Sequence, residues 1–480
     1  MILDDILTIL KEKSDNKAYT INNESYTYTQ LYKFVCNIYQ FLLKENKQKK
    51  PVIVYGHKEI YMKATFIACS FAGMTYVPID ENMPKERVEQ IIKQVEPELI
   101  IGKNISKQKI NEIMNQENYK EIEEIYLKPE NIYYIIFTSG STGIPKGVKV
   151  TYKNVNSCIN WLKDITKIKK GVVLNQANFS FDLSVADLYL SLISGSEHFI
   201  INEISGLDFN KIFEQLKISK ANIMVATPSF VDLLLLDKSF GKELMPNLQT
   251  ILFCGEKLLK STVNKLYSRF DNVQIINSYG PTECTFAVTS IEINQEMLNS
   301  ENIPVGVPKK DVEIYIVDEN KNELKEEEIG EILIVGESVA EGYIGKSSKN
   351  LFINYNGKKA YLTGDLGYIK NGILYCKGRK DNQIKFKGYR IELTDIEKNL
   401  QDLDYIDNAV AVANTNKEGK VLNIIAFVIL KKNTTKTELE IKKDLQKKIP
   451  EYMCPKIKII KEFPLNANGK CDKKRLLEEF

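Results

Sequence analysis

From about residue 50 to 290, short apolar runs alternate with amphipathic stretches, the texture of parallel strands covered by helices. Residues 51–55, 133–137, 172–177, 222–226, 250–254 and 273–276 read as strands. Within residues 184–193, Val185, Leu188 and Leu192 keep helical spacing, and Gly195 supplies a stop. Between about 304 and 376 the pattern shifts to short alternating strands such as 313–317 and 331–335, predicting a small β-rich, barrel-like subdomain. After Gly378-Arg379-Lys380-Asp381 comes a block of about a hundred residues, the size of a separate small domain. Its strand-like runs 409–413 and 422–430 precede a helix near Thr437, where Glu440 completes a capping-box spacing. The expected fold class is α/β. A large domain over 1–380, with two parallel-sheet subdomains and the β-rich one, is followed by a small mobile α+β domain over 381–480.

Composition narrows the function classes. At 480 residues and 55.0 kDa the chain exceeds what one core supports. Its 66 basic residues face 63 acidic ones, so a net charge of +3 creates no global field for nucleic acid or an anionic membrane, and the lysines read as solvated surface. No apolar stretch approaches about 18 residues, and the start lacks a basic leader, which predicts no membrane insertion and a cytoplasmic protein. Eight scattered cysteines without a Cys-x-x-Cys pair, and only two histidines, argue against structural zinc, a disulfide framework or a histidine-based triad. Chemistry, if present, rests on electrostatic positioning of a reactive substrate.

One segment suggests that chemistry. The apolar run 133–137 stops in Thr138-Ser139-Gly140-Ser141-Thr142-Gly143-Ile144-Pro145-Lys146-Gly147. Its glycines let backbone approach an anion, its hydroxyls donate, and Lys146 supplies charge, so the loop is expected to hold a polyphosphate. The lysine precedes the last glycine and no Ser or Thr follows it, which disfavours a kinase or GTPase. A second cluster, Asn277-Ser278-Tyr279-Gly280-Pro281-Thr282-Glu283, follows the run 273–276. Two such loops at strand carboxyl ends are where an α/β sheet places ligands.

Together with Asn178-Phe179-Ser180-Phe181-Asp182, residues 361–365, 378–392 and 464–470, these segments resemble the adenylate-forming superfamily over nearly the whole chain. That resemblance implies ATP and Mg²⁺ as cofactors, and attack of a substrate carboxylate on the α-phosphate, where cations must offset the meeting of two anions. It implies that Thr138, Ser139, Gly140, Ser141, Thr142, Gly143 and Lys146 hold the β- and γ-phosphates, that Thr282 contacts the α-phosphate and that Glu283 holds Mg²⁺. Tyr279 and Gly280 would lie against adenine, Asn277 at its amino edge, and Asp365 with Arg379 at the ribose. Lys470 would bridge carboxylate, ribose and α-phosphate, and Asp381 would be the hinge that withdraws it before a thiol enters. Read alone, Asp365 also fits an Asx-type turn, Lys470 an exposed turn lysine, and Asp381 a linker charge.

Asp182 stands where amino-acid-activating members pair with the substrate ammonium; alternatively it caps the following helix. The rest of the pocket would be Leu183, Ala186, Ala226, Leu252, Cys254, Ser278, Phe286 and Ala287. This pattern is most similar to the D-alanine:carrier protein ligases of the teichoic acid pathway. Their equivalent of Cys254 lies against the substrate α-carbon, although a buried small hydrophobe is its plainer reading. Two departures, Ala186 for a usual methionine and Phe286 for a smaller aliphatic, open the pocket to another small amino acid. No Gly-x-Ser attachment site follows Lys470, so the acceptor is expected to be a separate phosphopantetheinylated carrier protein, with coenzyme A second. A stand-alone adenylation enzyme of a nonribosomal peptide pathway is the alternative enzyme. An acyl-CoA ligase is disfavoured by Asp182, and a dead nucleotide-binding scaffold by Lys470, Glu283 and Asp365 together.

Overall fold

The computed structural model describes residues 1–140, 143–202, 208–300, 302–345, 351–464 and 471–479. Ser141, Thr142 and Lys470, three of the expected site residues, lie outside them. The chain divides into two compact units: residues 1–81, 95–137 and 147–380 form one; residues 82–94, 138–146 and 381–480 form the other.

Among the described residues the first unit carries a nine-stranded sheet with the spatial order Val307–Pro308, Thr289–Glu292, Gln274–Tyr279, Thr250–Phe253, Ile223–Ala226, Val172–Asn175, Glu197–Ile200, Lys17–Ile21 and Glu24–Thr27. The middle strands are parallel, and antiparallel pairs close both edges. Burial on both faces explains why these strands read as continuous apolar runs. A six-stranded sheet contains Val52–Gly56 between Leu99–Gly102 and Tyr76–Asp80, and reaches Ile132–Thr138. The β-rich region is an antiparallel sheet of five strands, with the long strand Lys358–Lys370 pairing Gly330–Gly336 on one side and both Phe352–Tyr355 and Ile373–Arg379 elsewhere along its length. In the second unit, Ile406–Thr415, Val421–Leu430 and Lys456–Ile459 form a sheet packed with the helices Leu393–Gln401 and Glu438–Leu445. Thr437 caps the latter in a full capping box with Glu440.

Two readings need correction. The segment Asn277-Ser278-Tyr279 lies within the strand Gln274–Tyr279 and not in the loop after it, because an antiparallel partner, Thr289–Glu292, continues the ladder. Nor are all lysines surface groups: the Lys58, Lys63 and Lys309 side chains are buried. Lys63 donates to the Ala18 carbonyl at 3.1 Å and Lys58 to the carbonyls of Gln176 and Ile201, both at 2.9 Å. Asp187 and His198 share this interior at 2.9 Å. Burial pushes the Lys63 amine down to about 7 and Lys58 to about 8, and holds the Asp187 carboxyl well above the usual range.

The sign of the resulting pH dependence follows directly. Between about pH 7 and 10 the unfolded chain binds the Lys63 proton and the folded chain does not, so Lys63 makes stability rise with pH, at about 1.4 kcal/mol per unit at most. Asp187 acts oppositely and is coupled to Lys63: without the lysine its carboxyl rises further, which moves the difference between wild type and variant in the same direction. Urea unfolding of wild type and Lys63→Met should show wild type gaining on the variant from pH 7 to 10; parallel curves would contradict the buried-amine account.

Candidate active site

Two neighbouring strands of the nine-stranded sheet end level, Ala226 opposite Phe253, and Phe253 stands opposite Asn277 of a third that runs on to Tyr279. Cys254 follows the middle one, its backbone N–H donating to the Ala226 carbonyl at 3.4 Å. Ser278 Oγ donates to the Phe253 carbonyl at 2.7 Å, and Cys254 Sγ lies 3.8 Å from the Phe286 carbonyl oxygen. Phe286 is placed there by a tight turn after Thr282–Cys284 in which Thr285 and Phe286 both have positive φ, 62° and 69°. Gly280 permits this return of the chain, since a Cβ there would stand 2.6 Å from the Ala287 Cα. Leu183, Ala186, Leu252, Cys254, Phe286 and Ala287 belong to one buried cluster. Ala226 packs in the neighbouring core. Ala186 and Phe286, the two departures, therefore lie in the same cluster, a small residue and a large one.

Asp182 sits at the N-terminus of the helix Leu183–Ile193, half-buried, with helical φ and ψ and no capping hydrogen bond from its side chain. The capping alternative for Asp182 is thereby removed. Negative charge is favoured at a helix N-terminus.

A second constellation lies where the β-rich sheet carries Asp365. Tyr279 Oη donates to Asp365 Oδ2 at 2.7 Å, and Arg379 Nη1 to Asp365 Oδ1 at 2.5 Å. Asp365 and Arg379 are direct cross-strand partners, and Arg379 Nη2 also reaches the Thr363 carbonyl at 3.2 Å. Asn277 donates its amide N–H to the Pro304 carbonyl at 2.7 Å, which fixes the orientation of its amide. Glu283, buried in the turn beside Thr282, accepts from Tyr343 Oη at 2.6 Å, and its backbone carbonyl accepts from Ala340. Tyr343 was not legible as a site residue, since it lies in no motif. Among the described residues no three His, Cys, Asp or Glu groups gather as a metal cluster.

The glycine-rich loop belongs to the second unit. Thr138 ends its strand, Ser139 and Gly140 are buried, and Gly143 bonds back to the Gly140 carbonyl at 3.0 Å with φ of 80°. A Cβ on Gly140 would overlap the Ile144 carbonyl. Lys146 is half-buried. Arg87, Asp395 and the 390–392 backbone hold this loop; that backbone belongs to the 378–392 motif, whereas nothing in the sequence reading pointed to Arg87 or Asp395. The unit boundary falls between Lys380 and Asp381, and Asp381 caps the next turn by accepting from the Gln383 N–H at 3.2 Å.

The AMP-binding enzyme family model matches residues 8–344, and the model of the AMP-binding enzyme C-terminal domain matches residues 395–470. A D-alanine--D-alanyl carrier protein ligase from Listeria innocua serovar 6a is 41% identical over 92% of this chain and 91% of its own. The protein of that name from Bacillus velezensis is 38% identical over 100% of this chain and 99% of its own. The Vibrio cholerae adenylation domain AlmE, solved with glycyl-adenosine-5'-phosphate, superposes with a TM-score of 0.85 at 21% identity, covering 100% of this chain and 97% of its own. Holo-PA1221, a nonribosomal peptide synthetase protein with adenylation and PCP domains, gives 0.82 at 21% identity over 100% and 85%. The two structural likenesses agree on fold, and the sequence matches reach further: this chain belongs to the AMP-binding enzyme family.

Proposed function

We propose that this enzyme couples D-alanine to AMP at the expense of ATP and then passes the aminoacyl group to the phosphopantetheine thiol of a separate carrier protein. Asp182 carries the reading: a carboxylate at a helix N-terminus, adjoining Leu183 of the buried cluster that also holds Ala186, Cys254 and Ala287, is a receptor for a small zwitterion. The full-length relatives named for D-alanine support the choice of substrate. In the first step the amino acid carboxylate attacks the α-phosphorus, and the bond to the bridging oxygen breaks to release pyrophosphate. In the second the thiol displaces AMP from the acyl carbon.

Asp365, oriented by Tyr279 and Arg379, accepts from the ribose hydroxyls, with Tyr279 and Gly280 against adenine and Asn277 at its amino edge. The loop residues 138–143 and Lys146 hold the β- and γ-phosphates, Thr282 meets the α-phosphate, and Lys470 bridges the reacting groups. Glu283 suits Mg²⁺, because a magnesium ion bound to polyphosphate keeps waters and phosphate oxygens and needs few protein carboxylates. We take 1–380 as the substrate-binding domain and 381–480 as a mobile one turning at Asp381. Eight free thiols fit the reducing cytoplasm, where ATP is available.

The paired exchange at Ala186 and Phe286 favours one second reading, another small amino acid in the same chemistry. Pyrophosphate exchange with magnesium and ATP across D- and L-amino acids separates the two. D-alanine should exceed L-alanine by about tenfold or more. A different amino acid at the top would replace the substrate, and no exchange with any would overturn the reading.

A further inference from the structure

Arg87 and Asp395 form a buried ion pair between segments remote in sequence, both within the second unit. Arg87 Nη2 meets Asp395 Oδ2 at 2.7 Å, and Nη1 meets Oδ1 at 3.3 Å. The same Nη1 donates to the Gly143 carbonyl at 3.0 Å, and Asn399 Nδ2 donates to Asp395 Oδ1 at 2.9 Å. Both charged side chains are almost wholly buried, 4% and 0% exposed, so the pair is costly to break and specific in geometry. It grips the glycine-rich loop at its second glycine, over which the stem of Lys398 packs: a Cβ on Gly143 would stand 3.2 Å from Lys398 Cγ.

The other end of the loop is gripped too. Ser139 Oγ donates to the Arg390 carbonyl at 2.8 Å and accepts from the Glu392 N–H at 3.2 Å. A serine hydroxyl has one proton. Given to Arg390, it cannot also be donated to a phosphate oxygen, so the backbone at 390–392 and a polyphosphate compete for the same group.

We propose that Arg87 and Asp395 are positioning residues that hold the glycine-rich loop against residues 390–392, in an arrangement that excludes polyphosphate and forms once pyrophosphate has left. The inference rests on the reading that this loop holds the β- and γ-phosphates. Departure of pyrophosphate then frees the Ser139 proton for Arg390, and residues 390–392 register that the first half-reaction is over.

Two measurements test it. Magnesium pyrophosphate binding is followed by calorimetry in wild type, Asp395→Asn and the charge-free double variant Arg87→Met/Asp395→Leu, which avoids stranding a buried charge. Loosening the grip should tighten pyrophosphate binding by about tenfold. That gain is a direction that simple structural damage would not produce; unchanged or weaker binding in a double variant that melts like wild type overturns the proposal. Where the variants do not fold, wild type alone decides: saturating magnesium pyrophosphate should speed hydrogen exchange of the Glu392 amide, and unchanged or slower exchange overturns the proposal. Adenylate formation by wild type is scored in parallel, so that failure of the functional reading, no acyl-AMP, is distinguishable from failure of the clamp.

Discussion

Lys470→Ala should lower amino-acid-dependent pyrophosphate exchange by about a thousandfold, while transfer of the aminoacyl group from preformed adenylate to a thiol stays within a few-fold of wild type. The charge inventory of the described site argues for so large an effect. Asp365 and Glu283 are both acidic, and the guanidinium of Arg379 already engages Asp365 and the Thr363 carbonyl. Bringing a carboxylate onto the α-phosphate of ATP adds negative charge to a region whose own cation is committed. Lys146 and Lys470 are the lysines the proposed chemistry sets on the phosphates, and only the second would meet the reacting carboxylate itself. Single-turnover assays of each half-reaction check this; equal losses in both would refute a lysine that serves only the first.

Asp182→Ala should raise the amino acid KM by about a hundredfold with a much smaller change in the KM for ATP. Stranding a partly buried substrate ammonium costs about 3 kcal/mol, and each 1.4 kcal/mol is tenfold. Stability supplies the control. A helix cap is worth about 1 kcal/mol, and Asp182 makes no capping bond, so no loss of a cap adds to the change in melting temperature. Steady-state kinetics with the favoured amino acid decides: an unaltered KM would strip Asp182 of its ammonium, and a large loss of stability would return it to the helix.

Much of the architecture was legible because its signals are local. Parallel strands buried on both faces announce themselves as apolar runs, and the observed strands Val52–Gly56, Ile223–Ala226 and Thr250–Phe253 differ from their expected bounds by about one residue. The capping box at Thr437 is a four-residue pattern and was found as expected. What was not legible depends on distant pairing. The strand Gln274–Tyr279 runs longer than its apolar core, because Thr289–Glu292 supplies partners for polar residues. Arg87 and Asp395 stand in ordinary charged segments, and their burial arises only when two remote parts of the chain meet. Tyr343 resembles any of 25 tyrosines until Glu283 is placed beside it.

The first strand of the chain has a consequence for biogenesis. Lys17–Ile21 takes its parallel neighbour from Glu197–Ile200, with Tyr19 set against His198, so its seat in the nine-stranded sheet does not exist when it leaves the ribosome. At about 5–20 residues per second the nascent chain carries this apolar strand, paired at most with its own hairpin partner, for roughly ten seconds or more. Slow production of the far partner, more than any weakness of the finished core, would make newly synthesised protein dependent on chaperone shelter.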